Sequence, residues 1–163
     1  MAIQSKRRTA VNISGCQPEK TISGDSVEDT IALKKMAVEA RSYISSFRWC
    51  PLIKELFLGQ GTGGVVAVFL AQFSERIGGR DEFLWIIVGD LPSAYLVVDL
   101  IQTPAQALRA YCDLMEEWVN AVLQHKPLDG VFPVKAAATV ENAEALQKRL
   151  EFLREDIVPL FEP

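Results

Sequence analysis

The residues with the clearest chemical potential lie in the turn Gly89-Asp90-Leu91-Pro92-Ser93-Ala94-Tyr95. An aspartate and a tyrosine stand here between two apolar runs, where a rigid pair of strands can present a binding loop. In a simpler interpretation, Asp90 accepts hydrogen bonds from backbone N–H groups of the turn and Pro92 fixes the chain. Both interpretations remain open at this point, and Asp90 and Tyr95 are predicted binding residues.

The chain offers few groups for catalysis. His125 is the single histidine, at the predicted end of a helix, where an imidazole interacts favourably with the helix dipole. The sequence has no G-x-S-x-G motif to present the serine of a Ser-His-Asp triad, and one histidine cannot build a multi-histidine metal site. We predict no catalytic residue, no metal site and no cofactor. The alternative is a small-substrate enzyme in which carboxylates converge near the Asp90 turn, drawn from Asp81, Glu82, Asp90, Asp99, Asp113, Glu116 and Glu117.

Two further groups of residues are binding candidates. Asp113, Glu116 and Glu117 lie together on one predicted helix, where like charges cost about 0.2–0.5 kcal/mol per pair. A solvated face tolerates that cost, so the grouping is equally typical of plain surface. Trp49 precedes Cys50-Pro51 and is either an exposed aromatic corner suited to an interface or a core residue. These four residues complete the predicted binding set.

The run Gly59-Gln60-Gly61-Thr62-Gly63-Gly64 has the composition of a phosphate-binding loop but not its context. A phosphate-binding loop follows a strand and opens a helix, so that backbone N–H groups meet the anion. Here the predicted order is reversed, and no Lys-Ser or Lys-Thr pair closes the loop. We therefore predict a flexible connector that binds no nucleotide; a mobile lid or binding loop is the alternative.

Length and charge restrict the partners. With 163 residues and 49% hydrophobic composition, the chain can build one domain with its own core. The net charge is −4, and residues 1–25 carry an excess of basic side chains, so the rest of the chain is more acidic still. Such a surface repels nucleic acid and anionic membranes. We therefore expect neither nucleic acid nor a membrane as a partner. We expect a protein partner with a basic surface. The basic cluster Lys6-Arg7-Arg8 is interpreted as solvated rather than as a nucleic-acid arm.

The cysteines and the apolar runs indicate a compartment. Cys16, Cys50 and Cys112 are odd in number and include no C-x-x-C pair, which is typical of plain thiols in a reducing environment. No segment approaches the roughly 20 apolar residues of a membrane span, and the start lacks the apolar region of a signal peptide. These features predict a cytoplasmic protein.

Three near-continuous apolar runs, over residues 65–73, 83–88 and 94–98, define the predicted sheet. Their length and β-branched content favour strands, and the breaks between them are too short for the crossover of a parallel pair. None alternates between apolar and polar residues, so we expect both faces to be covered. The predicted fold class is α+β, a three-stranded antiparallel β-meander covered by an N-terminal helix and two C-terminal helices.

Helix signals flank these runs. A first helix is predicted from an N-cap at Asp25 to about Phe47, followed by a short helix over residues 51–58 that begins at a proline. Thr103-Pro104-Ala105-Gln106 is a strong helix start, and the last helix begins at about Thr139. Between them, residues 131–134 are interpreted as loop or as a short edge strand.

Residues 1–24 show no apolar period. We predict that they form a flexible N-terminal segment that folding does not require. Residues 25–163 then form a single α+β domain. The size, the acidic balance and the compact α+β pattern without a catalytic set resemble, in a general way, bacterial toxin-immunity and other small inhibitor proteins. The resemblance includes no specific motif. It implies a non-catalytic protein-binding module; a small-substrate enzyme and a self-assembling structural protein, as a homo-oligomer, are the alternatives.

Overall fold

The computed structural model describes residues 11–163 and shows an α+β fold built on one antiparallel sheet. A 3-10 turn covers Glu19–Thr21 and a π-helical turn covers Leu153–Ile157. The strands are β1 (Gln17–Pro18), β2 (Ile53–Thr62), β3 (Val66–Ile77), β4 (Asp81–Gly89) and β5 (Ala94–Val97). The helices are α1 (Val27–Ser45), α2 (Pro104–Leu123), α3 (Val140–Phe152) and α4 (Val158–Phe161).

Neighbouring strands pair in chain order from β1 to β5, and every pair is antiparallel. The α+β class and the antiparallel meander are therefore confirmed, but the predicted number of three strands is wrong, because the described chain forms five. β2 replaces the predicted helix over residues 51–58. Its register against β3 shifts between Ile53 and Glu55 and again between Leu58 and Gln60. These two irregularities disrupt the alternation by which a strand is recognised in a sequence.

The glycine-rich run lies partly inside β2, so the predicted flexible connector is wrong for residues 59–62. Gly61 permits a close approach: a Cβ there would lie 2.7 Å from Leu33 Cδ2 on α1 and 2.9 Å from Ala67 Cβ on β3. The next residues form the β2–β3 turn, where the Gly63 N–H donates to Asp29 Oδ1 at 2.7 Å. The glycines thus let α1 pack directly on the sheet.

Both faces of the sheet are covered, as the lack of alternation predicts. α1 covers one face, and its buried partners on β3 and β4 include Phe69, Phe73 and Ile86. α2 covers the other face, which includes Val68, Leu70 and Trp85, and α3 packs against α2 in the same core cluster. Consecutive strand residues point to opposite faces, so two buried faces produce a continuous apolar run.

The helix starts follow their capping signals. Thr103 Oγ1 accepts from the Gln106 N–H at 3.1 Å, which confirms the predicted cap. Thr139 Oγ1 accepts from the Asn142 N–H at 3.2 Å, at the predicted start of the last helix. The predicted cap at Asp25 is one residue early, because Ser26 Oγ accepts the Asp29 N–H at 3.0 Å. None of the helices in residues 11–163 combines the length and apolar character that crossing a membrane requires.

Part of the N-terminal segment packs on the α1 side of the sheet. β1 pairs with β2, and Ile22 is only 3% exposed within the cluster under α1. Arg41 on α1 donates two hydrogen bonds to Glu19, at 3.1 and 3.2 Å. Lys6-Arg7-Arg8 lies outside the described residues. The domain division at residue 24 stays a prediction, and truncation can test it.

Candidate functional site

Five aromatic side chains from three parts of the chain meet on the α1 side of the sheet; we call them the aromatic corner. Tyr95 is at its centre, with ring centroids 5.2 Å from Phe47, 5.2 Å from Trp49 and 5.8 Å from Phe132. Trp49 stacks on Phe47 at 5.2 Å, and Tyr43 meets Phe47 edge-on at 5.3 Å. The members of the aromatic corner are Tyr43, Phe47, Trp49, Tyr95 and Phe132.

The path of α1 assembles this corner. The helix begins beside the β2–β3 turn, where Asp29 accepts from Gly63, and its C-terminal end lies beside β5, where Tyr43 meets Tyr95. Tyr95 is opposite Ile86 in the β4–β5 register and so faces α1. Phe132 comes from the connection between α2 and α3 and also packs against the core on the opposite face. That connection therefore covers the β5 edge at this point.

The aromatic corner is partly open to solvent. Trp49 is 40% exposed, whereas the other four rings are half-buried. Val97, two residues beyond Tyr95 on β5 and hence on the same face, is also exposed. Burial raises the pKa of Tyr43, and the neighbouring Tyr95 raises it further, so this phenol stays neutral at physiological pH. The corner is an uncharged aromatic surface of the kind that is enriched in protein interfaces.

A cleft of 260 Å³ lies on the other side of the sheet, between the β4–β5 turn, α2, α3 and the connection between these helices. We refer to it as the cleft. Trp118, only 3% exposed, forms its floor together with Leu146. The polar groups of the lining are Asp90, Asn142 and Arg149. The remaining lining residues are Leu91, Pro92, Val134, Ala136 and Ala145.

The β4–β5 turn is held in place at the rim of the cleft. Gly89 has φ +155°, and a Cβ there would lie 2.2 Å from Val65 O, so the close approach requires glycine. The Asp90 N–H donates to Val65 O at 3.0 Å, and Tyr111 Oη donates to Pro92 O at 2.5 Å. The Asp90 carboxylate accepts from Arg149 Nη1, which also donates to Asp90 O at 2.6 Å. Asp90 thus links the turn to α3.

The acidic residues of α2 meet an arginine from the π-helical turn. Arg154 Nη2 donates to Asp113 Oδ1 at 2.8 Å and to Glu116 Oε2 at 2.9 Å. The hydrogen bond with Asp113 is the main cause of a raised Arg154 pKa. Glu117, the next residue of α2, is exposed and adds a third carboxylate, so these four side chains together carry a net negative charge.

The six predicted binding residues therefore fall into three groups. Trp49 and Tyr95 are brought together in the aromatic corner, and Asp90 lies at the cleft. Asp113 and Glu116 share Arg154, with Glu117 exposed beside them on α2. Their roles in binding stay predictions. Sequence reasoning missed Arg149 and Phe132, which join the site through contacts between distant parts of the chain. Arg149 is 59 residues from Asp90, and no local pattern distinguishes it from other surface arginines of a helix.

The geometry restricts the chemistry that these places can perform. Asp90 is the one carboxylate among the described residues of the cleft, and a paired-carboxylate mechanism needs two. Burial raises the pKa of the Cys16 and Cys50 thiols, and that of Cys112 to about 11, which disfavours the reactive thiolate. Within residues 11–163, no group of three or more His, Cys, Asp or Glu side chains is disposed to hold a metal ion.

Comparison with known proteins identifies no function for the chain, so a functional proposal has to be based on the site. No protein-family model, no curated protein and no solved structure matches the chain. Because a fold alone does not fix a function, the side chains at the aromatic corner, at the cleft and on α2 have to carry it.

Proposed function

We propose that the protein is a non-catalytic protein-binding module and that the aromatic corner is the centre of its interface. The observation that carries this proposal is the convergence of rings from residues 43–49, 95 and 132 on a surface where Trp49 is 40% exposed. Interface hot spots are enriched in Trp and Tyr. The general resemblance to small inhibitor proteins favours the same class of function.

The corner is well suited to binding because its rings are already ordered. Trp49 lies flat on Phe47, with 24° between the ring planes, and its edge meets Tyr95. A side chain that is fixed before association loses little conformational entropy when a partner binds. Trp49 thus offers a partner apolar area, an indole N–H and an aromatic face, and little conformational entropy is lost on binding.

The partner that fits these surfaces is a protein with basic and apolar side chains. A lysine or arginine of the partner can lie over the exposed indole face in a cation–π contact. The net-negative surface of Asp113, Glu116 and Glu117 lies on α2, in the other layer of the fold, and attracts a basic partner over a longer range. The two surfaces therefore make different contributions, one to contact and one to the rate of association.

The test of the contact surface compares two exposed apolar side chains. A partner captured from the native source by the wild-type chain is purified, and its affinity is measured by calorimetry for wild type, Trp49→Ala and Val38→Ser. Val38 is an exposed residue of α1 outside the aromatic corner. We expect Trp49→Ala to weaken binding about 30-fold, as a hot spot of about 2 kcal/mol does, and Val38→Ser to change little. Equal affinities for all three proteins would refute the proposed interface.

The acidic surface is tested separately with Glu117→Lys, which leaves both Arg154 hydrogen bonds intact. We expect slower association with the purified partner at low salt and little difference at high salt, because exposed charges are screened beyond about 10 Å at 0.1 M. A rate that is unchanged at low salt would remove this surface from the association step.

The two alternative functions predict different results. In a self-assembling protein, light scattering gives a mass above that of the monomer; the exposed apolar residues Val27, Ile31 and Val38 of α1 would favour such association. In an enzyme that uses the Asp90 turn, substrate turnover is lost in Asp90→Asn. Either result without a protein partner would replace the proposal.

A further inference from the structure

We infer that the cleft binds the carboxylate of a small apolar acid, with Arg149 as the carboxylate-binding residue and Trp118 beneath the apolar group. The ligand is either a free acid or the C-terminal residue of a polypeptide, which present the same chemistry. This binding site is separate from the aromatic corner and lies on the opposite face of the sheet, so it does not depend on the proposed function.

The volume and the lining of the cleft set the size and polarity of the ligand. A volume of 260 Å³ is just below the range of about 300–1,000 Å³ for pockets that take drug-sized ligands. The cleft therefore suits a group no larger than one amino-acid residue. Trp118 and Leu146 form an apolar floor, and Leu91 and Pro92 form the wall at the β4–β5 turn. A branched or aromatic hydrocarbon group buries its surface against these side chains.

Arg149 supplies the polar end of the site. Within residues 11–163, its hydrogen bonds all come from Nη1, which donates to Asp90 O and to the Asp90 carboxylate. The Nε–H and one Nη2–H form the edge of the planar guanidinium that Nη1 does not share. This edge matches the two oxygens of a carboxylate in bidentate geometry. Arg149 lines the cleft and its side chain is 48% exposed, so it is accessible to a ligand there.

Asp90 fixes the position of Arg149 at the rim of the cleft. Two hydrogen bonds hold one end of the guanidinium at the rim, so less side-chain entropy is lost when a ligand binds. The Asp90 carboxylate and an incoming carboxylate occupy different edges of the same cation. Asn142 donates through Nδ2 to Ala137 O at 2.9 Å, which leaves its Oδ1 as an acceptor for the amide N–H of a peptide ligand.

The test is a titration of the ¹⁵N-labelled full chain, followed by NMR, with four probes. These are 4-methylpentanoate, its neutral amide 4-methylpentanamide, N-acetyl-leucine and N-acetyl-leucinamide. We expect saturable shifts at Trp118, Ala145 and Arg149 with both acids, and binding at least about 10-fold weaker for each amide, as the loss of a charged hydrogen-bond acceptor predicts. Tighter binding of N-acetyl-leucine than of 4-methylpentanoate identifies a polypeptide C-terminus as the source, and equal binding identifies a free acid.

Variants separate the carboxylate contact from general effects on the fold. Arg149→Gln should weaken acid binding about 10-fold or more, whereas Arg154→Gln, an arginine of the same layer that pairs with Asp113 and Glu116 outside the cleft, should leave it unchanged. Ala145→Leu fills part of the cleft and keeps both Arg149 and Asp90, so it should abolish binding and gives a second test if Arg149→Gln unfolds.

Three results would overturn the inference. The first is the absence of saturable shifts at the cleft with either acid. The second is equal affinity for an acid and its amide, which would exclude a role for the carboxylate. The third is unchanged binding in Ala145→Leu, which would place the ligand elsewhere on the molecule.

Discussion

The aromatic corner and the cleft lie on opposite faces of one sheet and are built in different ways. Packing of uncharged rings from the end of α1 and the residues after it, from β5 and from the α2–α3 connection forms the corner. The cleft has an apolar floor but a charged rim, in which Asp90 and Arg149 join the β4–β5 turn to α3. The comparison shows that one sheet can support an uncharged aromatic surface on one face and a cleft with a charged rim on the other.

The two surfaces also differ in the tryptophan that each presents. Trp118 is 3% exposed and belongs to the larger core cluster, between the sheet and helices α2 and α3. Trp49 is 40% exposed and touches other rings of the aromatic corner. One indole is therefore mainly structural, while the other is mainly available to a partner.

The largest effect that tests this difference is expected from alanine substitution of the two tryptophans. Trp118→Ala should lower the free energy of unfolding by about 3–5 kcal/mol, since it leaves a cavity in the core. Trp49→Ala should lower it by no more than about 0.5–1.5 kcal/mol, because it removes ring contacts at the surface. Urea unfolding measures both values. Equal losses would mean that Trp49 is as structural as Trp118.

The pH dependence of the free energy of unfolding should reveal the burial of the Cys112 thiol on α2. Burial raises the pKa of Cys112 from the ordinary 9.0 to about 11, so between these values the folded state retains a proton that the unfolded state releases. The free energy of unfolding therefore falls as pH rises through this window, by about 2–3 kcal/mol. Tyr111 and Tyr43, whose pKa values burial also raises, add to the loss above pH 10.

Urea unfolding between pH 8 and pH 10.5 checks this trend. Cys112→Ala should flatten the decline between pH 9 and 10, where the tyrosines contribute least. Cys50→Ala is the control, because Cys50 is only partly buried under the α1 layer and its raised pKa should contribute less. A decline that is the same in both variants would exclude Cys112 as its main source.

Removal of the N-terminal segment should lower the free energy of unfolding by about 2 kcal/mol, because part of the segment packs with α1 on the sheet. Removal of residues 1–24 deletes β1 and uncovers the core that Ile22 fills, and burial of an isoleucine is worth about 1.5–3 kcal/mol. Ile22→Ala in the full chain should reproduce most of that loss, whereas Ile31→Ala, at an exposed position of α1, should change stability little. Thermal unfolding of the three proteins decides whether the domain begins at residue 25.

The smallest effect is expected at the rim of the cleft. Asp90 and Arg149 are both substantially exposed, at 68% and 48% of their side chains, so a double-mutant cycle to alanine should give a coupling energy of about 0.2–1 kcal/mol. The coupling should shrink as salt is raised, because the pair faces solvent. A coupling that is large and independent of salt would show that the pair is more shielded than its exposure indicates.

The sequence predicts the middle of the fold well. The runs that form β3, β4 and β5 are bounded by turn residues, and the caps at Thr103 and Thr139 are local signals. Each of these features depends on neighbours within a few residues. Local patterns are therefore sufficient for the antiparallel meander and for the helices that follow it.

The remaining features depend on contacts between distant parts of the chain. β2 carries two register shifts that hide its strand period, and the two residues of β1 are too few to show any period. Likewise, the sequence supplies Asp90, Tyr95 and Trp49 as candidates, but it cannot show that Trp49 meets Tyr95 or that Arg149 reaches Asp90. Those pairings arise from the path of α1 across the sheet and from the packing of α3 on the turn.

The sequential strand order also determines when each surface forms during synthesis. α1 ends at Ser45, but β5, against which its C-terminal end packs, is complete only at Val97. Synthesis proceeds at about 5–20 residues per second, so roughly 3–10 s pass between the synthesis of α1 and that of the last strand of its sheet. The aromatic corner needs Phe132, and the cleft needs Arg149, which emerges later still. The capacity to bind a carboxylate is thus one of the last properties that the growing chain acquires.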